Sequence, residues 1–261
     1  MRRIATHPSR YEEDRNGNRP RISFSVKPVS IAELNAIHKC VYLPVFTLSG
    51  MVKLYLLGGE NVAKRDAKEV NTLAFQDAGG SPAVLVFTWA KPSFDARYRH
   101  RMRLMEYFRS LGACSVEFSE FSDPSFKTAS KVSTSDLIYI TGGQVSTLLS
   151  RLRKSGVDQL LHRYPKVIVG RSAGAVVFGR NCIVTNRYSK RSRVVEGLGL
   201  TDFSIKAHYD PSKDDLLMRM SKNERIYAIS KGSAVIYDGT DLSFVGEVFL
   251  FKNGQKHALD K

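Results

Sequence analysis

The stretch Pro165-Lys-Val-Ile-Val-Gly-Arg-Ser-Ala-Gly-Ala-Val-Val-Phe-Gly179 constrains this chain more than any other. Val167, Ile168 and Val169 are β-branched and read as a buried strand. Gly170, Ala173, Gly174 and Ala175 then leave room for a sharp turn, and the second apolar run reads as a helix starting near Ala173. Ser172 falls at the apex. A Gly-x-Ser-x-Gly turn between strand and helix holds a hydroxyl out at the edge of a sheet. The first N–H groups of a helix have no intrahelical partner, so they can face an oxyanion forming beside that hydroxyl. The same residues also suit a plain glycine-rich turn that packs a helix closely on a sheet.

Apolar runs on either side repeat the pattern. Leu54–Leu57, Ala83–Thr88, Cys114–Phe118 and Asp136–Thr141 read as strands. Helical spacing covers Lys64–Asp77, Phe94–Leu111 and Val145–Leu161 between them. Strands alternating with helices predict an α/β fold, a mostly parallel sheet with helices on both faces. Ligands of such sheets bind beyond the carboxyl ends of the strands. Gly58-Gly59, Thr88-Trp89, Gly142-Gly143 and Ser172 all lie at such ends, which predicts one crevice there. After the elbow, short runs at Cys182–Thr185, Phe203–Lys206, Ile226–Ile229, Ala234–Tyr237 and Ser243–Phe251 predict a β-rich C-terminal part. Asp238-Gly239 and Asn253-Gly254 are its hairpin signals. Residues 1–50 read as an N-terminal extension to the domain at 51–261. Its turn-rich Asn16–Pro20 precedes a short helix over Ser30–Cys40 and a strand over Val41–Leu48.

A serine hydroxyl needs a base to take its proton, and histidine suits that role near neutral pH. Of the six histidines, His208 is the best placed. It follows the apolar Phe203–Ala207, 208 − 172 = 36 residues past the serine. His7 and His257 lie near the ends, His100 in an arginine-rich stretch, and His162 on the face away from the crevice.

The charge bears on partners. Forty Lys and Arg against 25 Asp and Glu leave a net +15, so an anionic substrate or a nucleic acid would be attracted. The basic residues are spread along the chain and are not interleaved with aromatics, which disfavours nucleic acid. No apolar run reaches the roughly 18–20 residues of a membrane span, and Met1–Pro20 is polar and charged without an apolar core, so a secretory signal is not expected there. Cys40, Cys114 and Cys182 are widely spaced, which indicates neither a zinc site nor a disulfide framework. A cytoplasmic protein without a cofactor, as monomer or homodimer, is expected.

Three segments together resemble peptidase family S51, the aspartyl dipeptidase (peptidase E) and cyanophycinase group. They are Gly170–Ala175, the glycine-rich Ile140-Thr-Gly-Gly-Gln-Val-Ser-Thr-Leu-Leu149, and Gly197-Leu-Gly-Leu-Thr-Asp-Phe-Ser-Ile-Lys-Ala-His-Tyr209. The resemblance runs from about Lys53 to Gly254. It implies a sandwich like that of class I glutamine amidotransferases, flavodoxin-like in outline, and hydrolysis of peptide bonds next to aspartate. It implies Ser172 as nucleophile, His208 as base, and the N–H groups of Gly143 and Ala173 as oxyanion donors. With Gly59 and Gln144, these backbone groups would line the substrate. Two positions depart from the family pattern. Gln144 stands where asparagine is favoured, and Arg187–Lys190, basic except for Tyr188 and Ser189, stands where an acidic third residue is usual. Asn186 is therefore a candidate to orient the imidazole, as amides do in cysteine proteases. Glu196 stands beside it as a candidate carboxylate, with Asp202 and Asp210 the other near ones. Arg171, next to the nucleophile, is a candidate to grip a substrate carboxylate in a bidentate pair. A relative without catalysis that binds acidic ligands or nucleic acid is the alternative. An unrelated esterase of the α/β-hydrolase type, whose order is Ser, acid, His, is disfavoured, because only 261 − 172 = 89 residues follow the serine and His208 comes early among them.

Overall fold

Strand β1 (Lys53–Leu57) is buried along four of its five residues, as an apolar run at the centre of a sheet must be. The computed structural model of the chain describes residues 52–91, 101–185 and 192–259. All of these fall in the compact unit Leu48–Lys261. The expected helix over Ser30–Cys40, the strand over Val41–Leu48 and Asn186 lie outside the described residues.

Five strands run parallel: β1, β2 (Ala83–Phe87), β3 (Ser115–Ser119), β4 (Leu137–Ile140) and β5 (Val167–Arg171). They stand in the order β1-β5-β4-β2-β3. Helices α1 (Lys68–Asp77), α2 (Arg101–Ser110), α3 (Ser125–Thr134), α4 (Val145–Ser155) and α5 (Val157–His162) make the crossovers among these strands. Side chains alternate across the pleat and fill two cores. Tyr55, Leu57, Val86, Tyr139 and Val169 pack with α1 and α2 through Val70, Phe75, Leu104 and Phe108. Leu54, Leu56, Phe87, Ile140 and Ile168 pack on the opposite side with Leu148, Leu152 and Leu161 of α4 and α5.

The β-rich C-terminal part divides between two sheets. Strands β10 (Ala234–Tyr237) and β11 (Leu242–Val245) extend the first sheet antiparallel beyond β1. The second sheet has the order β13-β12-β9-β8-β6-β7. Its strands are β6 (Asn181–Thr185), β7 (Ser192–Glu196), β8 (Ser204–Ala207), β9 (Ile226–Ile229), β12 (Val248–Lys252) and β13 (Gln255–Leu259). Ile205, Ala207, Tyr227, Ile229 and Val248 turn one face of this sheet into the core shared with α4 and α5. Its other face packs Ile183, Ile226, Ala228 and Phe251 against Leu217 of α7 (Asp214–Met220). The remaining helix, α6 (Ala173–Val176), is a single buried turn after β5.

Two predicted elements divide, and one helix was not predicted. The helix expected over Val145–Leu161 is two helices, broken where Gly156 takes φ 73°. The run Ser243–Phe251 is two strands, because Gly246 turns at φ 74° between them. Residues 125–134 form α3 without any apolar period to announce it: only Thr128 and Val132 of that helix are buried. At Asn253-Gly254 the chain turns with both residues at positive φ, 54° and 77°, the backbone of a tight two-residue hairpin.

Candidate active site

Ser172 is held by the bend that the sequence predicts. Its backbone sits at φ 55°, ψ −111°, a conformation that a side chain adopts only at a cost. The bend is fixed from both sides. Ser172 N–H donates to Leu57 O at 3.0 Å, and Val176 N–H returns to Ser172 O at 2.9 Å. Gly170 and Gly174 permit the close approach that this requires. A Cβ on Gly170 would lie 2.7 Å from the Gly174 carbonyl, and one on Gly174 would lie 2.4 Å from Ile140 O.

His208 reaches the serine from the second sheet. At the end of β8 its own φ is 51°. Its N–H donates to Gly58 O at 2.8 Å, and the next N–H, of Tyr209, donates to Ile229 O at 3.0 Å. Lys256 and Asp214 both hydrogen-bond the Tyr209 hydroxyl, at 2.5 and 2.8 Å. The imidazole Nε2 lies 2.8 Å from Ser172 Oγ, within hydrogen-bond reach. The ring is exposed and the serine half-buried, so the pair faces solvent.

The glycine pairs border this dyad. A side chain on Gly59 would begin 2.3 Å from the His208 Cε1, and one on Gly142 would begin 3.0 Å from Ser172 Cβ. A Cβ on Gly143 would strike Ala90 O at 2.5 Å, in the segment after β2. Gln144 N–H donates to that same oxygen at 2.6 Å, while its side chain is exposed and accepts from Thr147 Oγ1 at 3.0 Å. The strand ends thus meet around Ser172 and His208. Ala173 opens α6 and is buried directly behind the serine.

Glu196 is not among the groups brought there. It lies exposed on β7, opposite Asn181, whose N–H donates to Ser204 Oγ at 3.2 Å. It therefore stands level with the start of β8, four residues and about 13 Å along the strand from His208. The Arg153 guanidinium of α4 holds its carbonyl at 3.2 Å. Asp210 caps the turn after His208 by accepting from Ser212 N–H at 2.8 Å, and Asp202 pairs with Arg225 at 2.5 Å. His162 binds the Leu198 carbonyl at 2.8 Å, behind α5.

Arg171, half-buried, extends to the side opposite α4, its guanidinium 6.0 Å from the centre of the Tyr139 ring. There it meets a polar group that sequence reasoning missed. Glu60 accepts from Tyr139 OH at 2.6 Å and from Asn71 Nδ2 at 3.0 Å, and Asn71 also donates to Tyr107 OH at 3.1 Å. Burial lifts the Glu60 carboxyl above the usual glutamate range, against the Tyr139 hydrogen bond and the field of Arg171, which lower it. The signals were a carboxylate directly after a glycine pair, and a buried asparagine among Val70, Ala74 and Phe75 on the apolar face of α1. A cleft of about 340 Å³ opens beside these groups, with Arg103 and Lys231 on its rim. A larger cavity, about 720 Å³, lies at the other end of the second sheet around Arg180, Glu224 and Lys252.

The fold and the bend define an α/β protein carrying a serine elbow at the end of a parallel sheet. The chain matches the profile of peptidase family S51 over residues 56–245, and it belongs to that family. A relative in Listeria monocytogenes, named uncharacterized peptidase Lmo0363, is 28% identical over 146 residues, 51% of this chain and 71% of that protein. Among solved structures, a peptidase from an acI-B1 Actinobacterium superposes with a TM-score of 0.62 at 20% identity, over 80% of this chain and 94% of that one. A Listeria monocytogenes EGD-e protein provisionally described as a peptidase E superposes at 0.59 and 22% identity, over 75% and 98%. At those identities the superpositions speak to the fold, which is the α/β architecture expected. Among the described residues no helix is long and apolar enough to cross a membrane.

Proposed function

We propose that this member of a peptidase family is a serine-type enzyme that hydrolyses amide bonds in small, aspartate-containing peptides. The observation that carries the reading is the 2.8 Å approach of Ser172 Oγ and His208 Nε2. In this scheme Oγ attacks the scissile carbonyl as its proton passes to Nε2. The oxyanion is met by the N–H groups of Ala173, which follows the serine, and of Gly143, next to the Gly142 that borders it. His208 then gives the proton to the leaving amine. An acyl-serine remains, and water activated by the same imidazole releases it. Arg171 and the surplus of positive charge favour an acidic peptide, and the reading puts the enzyme in the cytoplasm.

The test is labelling by a fluorophosphonate, with the modified residue located by mass spectrometry, alongside turnover of an aspartyl dipeptide. Labelling at Ser172, and loss of both signals in Ser172→Ala, are expected. An unlabelled protein that turns over no peptide but binds RNA or DNA in a salt-dependent way would instead be a binding relative of the family.

A further inference from the structure

Among the described residues, Lys206 is the one Lys, Arg, Asp, Glu or His that is buried, at 8% exposed. It lies on β8, two residues before His208. Parallel pairing sets it level with Ala228 of β9, and one step past the Cys182–Ile205 pair sets it beside Ile183 of β6. Both neighbours belong to the apolar cluster that Leu217 of α7 closes. A cation among such side chains costs stability unless its donors are well met. Among the described residues its one hydrogen bond goes to the Ala207 carbonyl, at 2.7 Å. Burial first, then the field of Lys213, hold the amine below the usual lysine range, against Asp210, which raises it.

That carbonyl and the His208 N–H belong to one peptide group. The N–H donates to Gly58 O at 2.8 Å, and the C=O accepts from Lys206 Nζ. A peptide plane held on both edges cannot turn about its long axis. The turn matters because it changes φ of the residue that follows. His208 stands at φ 51°, where a β-carbon is crowded and a side chain persists only if its surroundings hold it. Relaxation toward negative φ would swing the plane, break both bonds and carry the ring with it. The 2.8 Å approach of His208 Nε2 to Ser172 Oγ is built on the held conformation.

We propose that Lys206 is a positioning residue for the base: its Nζ locks the Ala207–His208 peptide, so that the imidazole is delivered to Ser172. This rests on reading His208 as the base of the reaction. Lys206 acts through the backbone, and the chain keeps a buried cation there at a cost to stability. An apolar side chain of the same length would suit Ile183 and Ala228 better and would leave the carbonyl unheld.

Stability and function should therefore move in opposite directions in Lys206→Met. Its resistance to urea should equal or exceed the parent's, because a desolvated cation is gone. Exchange of the His208 and Tyr209 amide hydrogens, followed by NMR, should nevertheless quicken roughly tenfold, the order of one lost hydrogen bond. Fluorophosphonate labelling of Ser172 should slow by a similar factor. For an aspartyl dipeptide kcat should fall likewise, with KM unchanged within about twofold. Lys206→Gln, which keeps a donor, should recover part of each loss. The proposal is overturned if amide exchange in Lys206→Met matches the parent, or if labelling and kcat do. It is equally overturned if stability falls together with activity, or if Lys206→Gln recovers nothing. A native chain that is neither labelled nor active would remove the reading of His208 as a base. Faster exchange in Lys206→Met would then keep the backbone clamp, and unchanged exchange would overturn it.

Discussion

The His208 imidazole occupies the space in which a side chain at residue 59 would begin: a Cβ there would lie 2.3 Å from Cε1 and 2.6 Å from Nδ1. The atoms in conflict belong to a side chain and not to backbone, so Gly59→Ala should fold and displace the ring, at the modest further cost of an alanine held at φ 149°. A displaced base costs on the order of 10²–10⁴ in rate. Turnover of aspartyl peptides by Gly59→Ala should fall by at least about a hundredfold, with melting changed by only a few degrees. Native-like turnover would mean that the observed ring position is not the one used.

Ser172 is one of four non-glycine residues at positive φ among those described, and the turn demands it. Glycine pays no such penalty. Ser172→Gly should therefore raise stability by about 1 kcal/mol while abolishing probe labelling. Chemical denaturation measures the first and mass spectrometry the second. A variant less stable than the parent would show that the bend stores no strain.

Gly174 faces backbone, which cannot swing aside. A Cβ at that position would sit 2.4 Å from Ile140 O, so Gly174→Ala must push α6 off the sheet. The expected loss is about 1–3 kcal/mol, with the dyad pulled out of register and activity lost along with stability. Parental stability in urea would contradict this account of the elbow.

Far from the site, Asp123 sets a pH dependence. Its side chain is 8% exposed, which by itself raises the carboxyl, but hydrogen bonds from Lys127 and Lys131 and from the Glu120 N–H outweigh burial and bring it down to about 2. A carboxyl depressed by folding stabilises the native state above its unfolded pKa and stops doing so as pH falls through the folded one. The contribution, at most about 2 kcal/mol, should be present at pH 5 and vanish between about pH 4 and pH 2. Asp123→Asn should flatten the denaturation midpoint over that window. An unchanged acid limb would show that the Lys131 cluster adds nothing to stability.

Much of this was legible along the chain. The strands betray themselves as continuous apolar runs because both faces of a central parallel sheet are buried. Gly58-Gly59 and Gly142-Gly143 mark strand ends where no side chain fits. Glu196 misled because closeness in sequence to the expected acidic position says nothing about which end of the second sheet it occupies once β6 stands between β7 and β8. The break at Gly156 was hidden because the apolar spacing continues from Leu152 into Val157 and Leu161, both buried, across a residue in left-handed conformation.

By itself the sequence determined the alternation of strands and helices, the bend at Ser172 and its pairing with His208 as candidates. These are local properties, written in side-chain periodicity and in where a backbone can turn. Only the tertiary structure decided that Glu60, Asn71, Tyr107, Tyr139 and Arg171 form one polar group, and that Glu196 stands apart from it. Those residues come from β1, α1, α2, β4 and β5 and their flanks, and the folded sheet brings together side chains that no spacing along the chain relates.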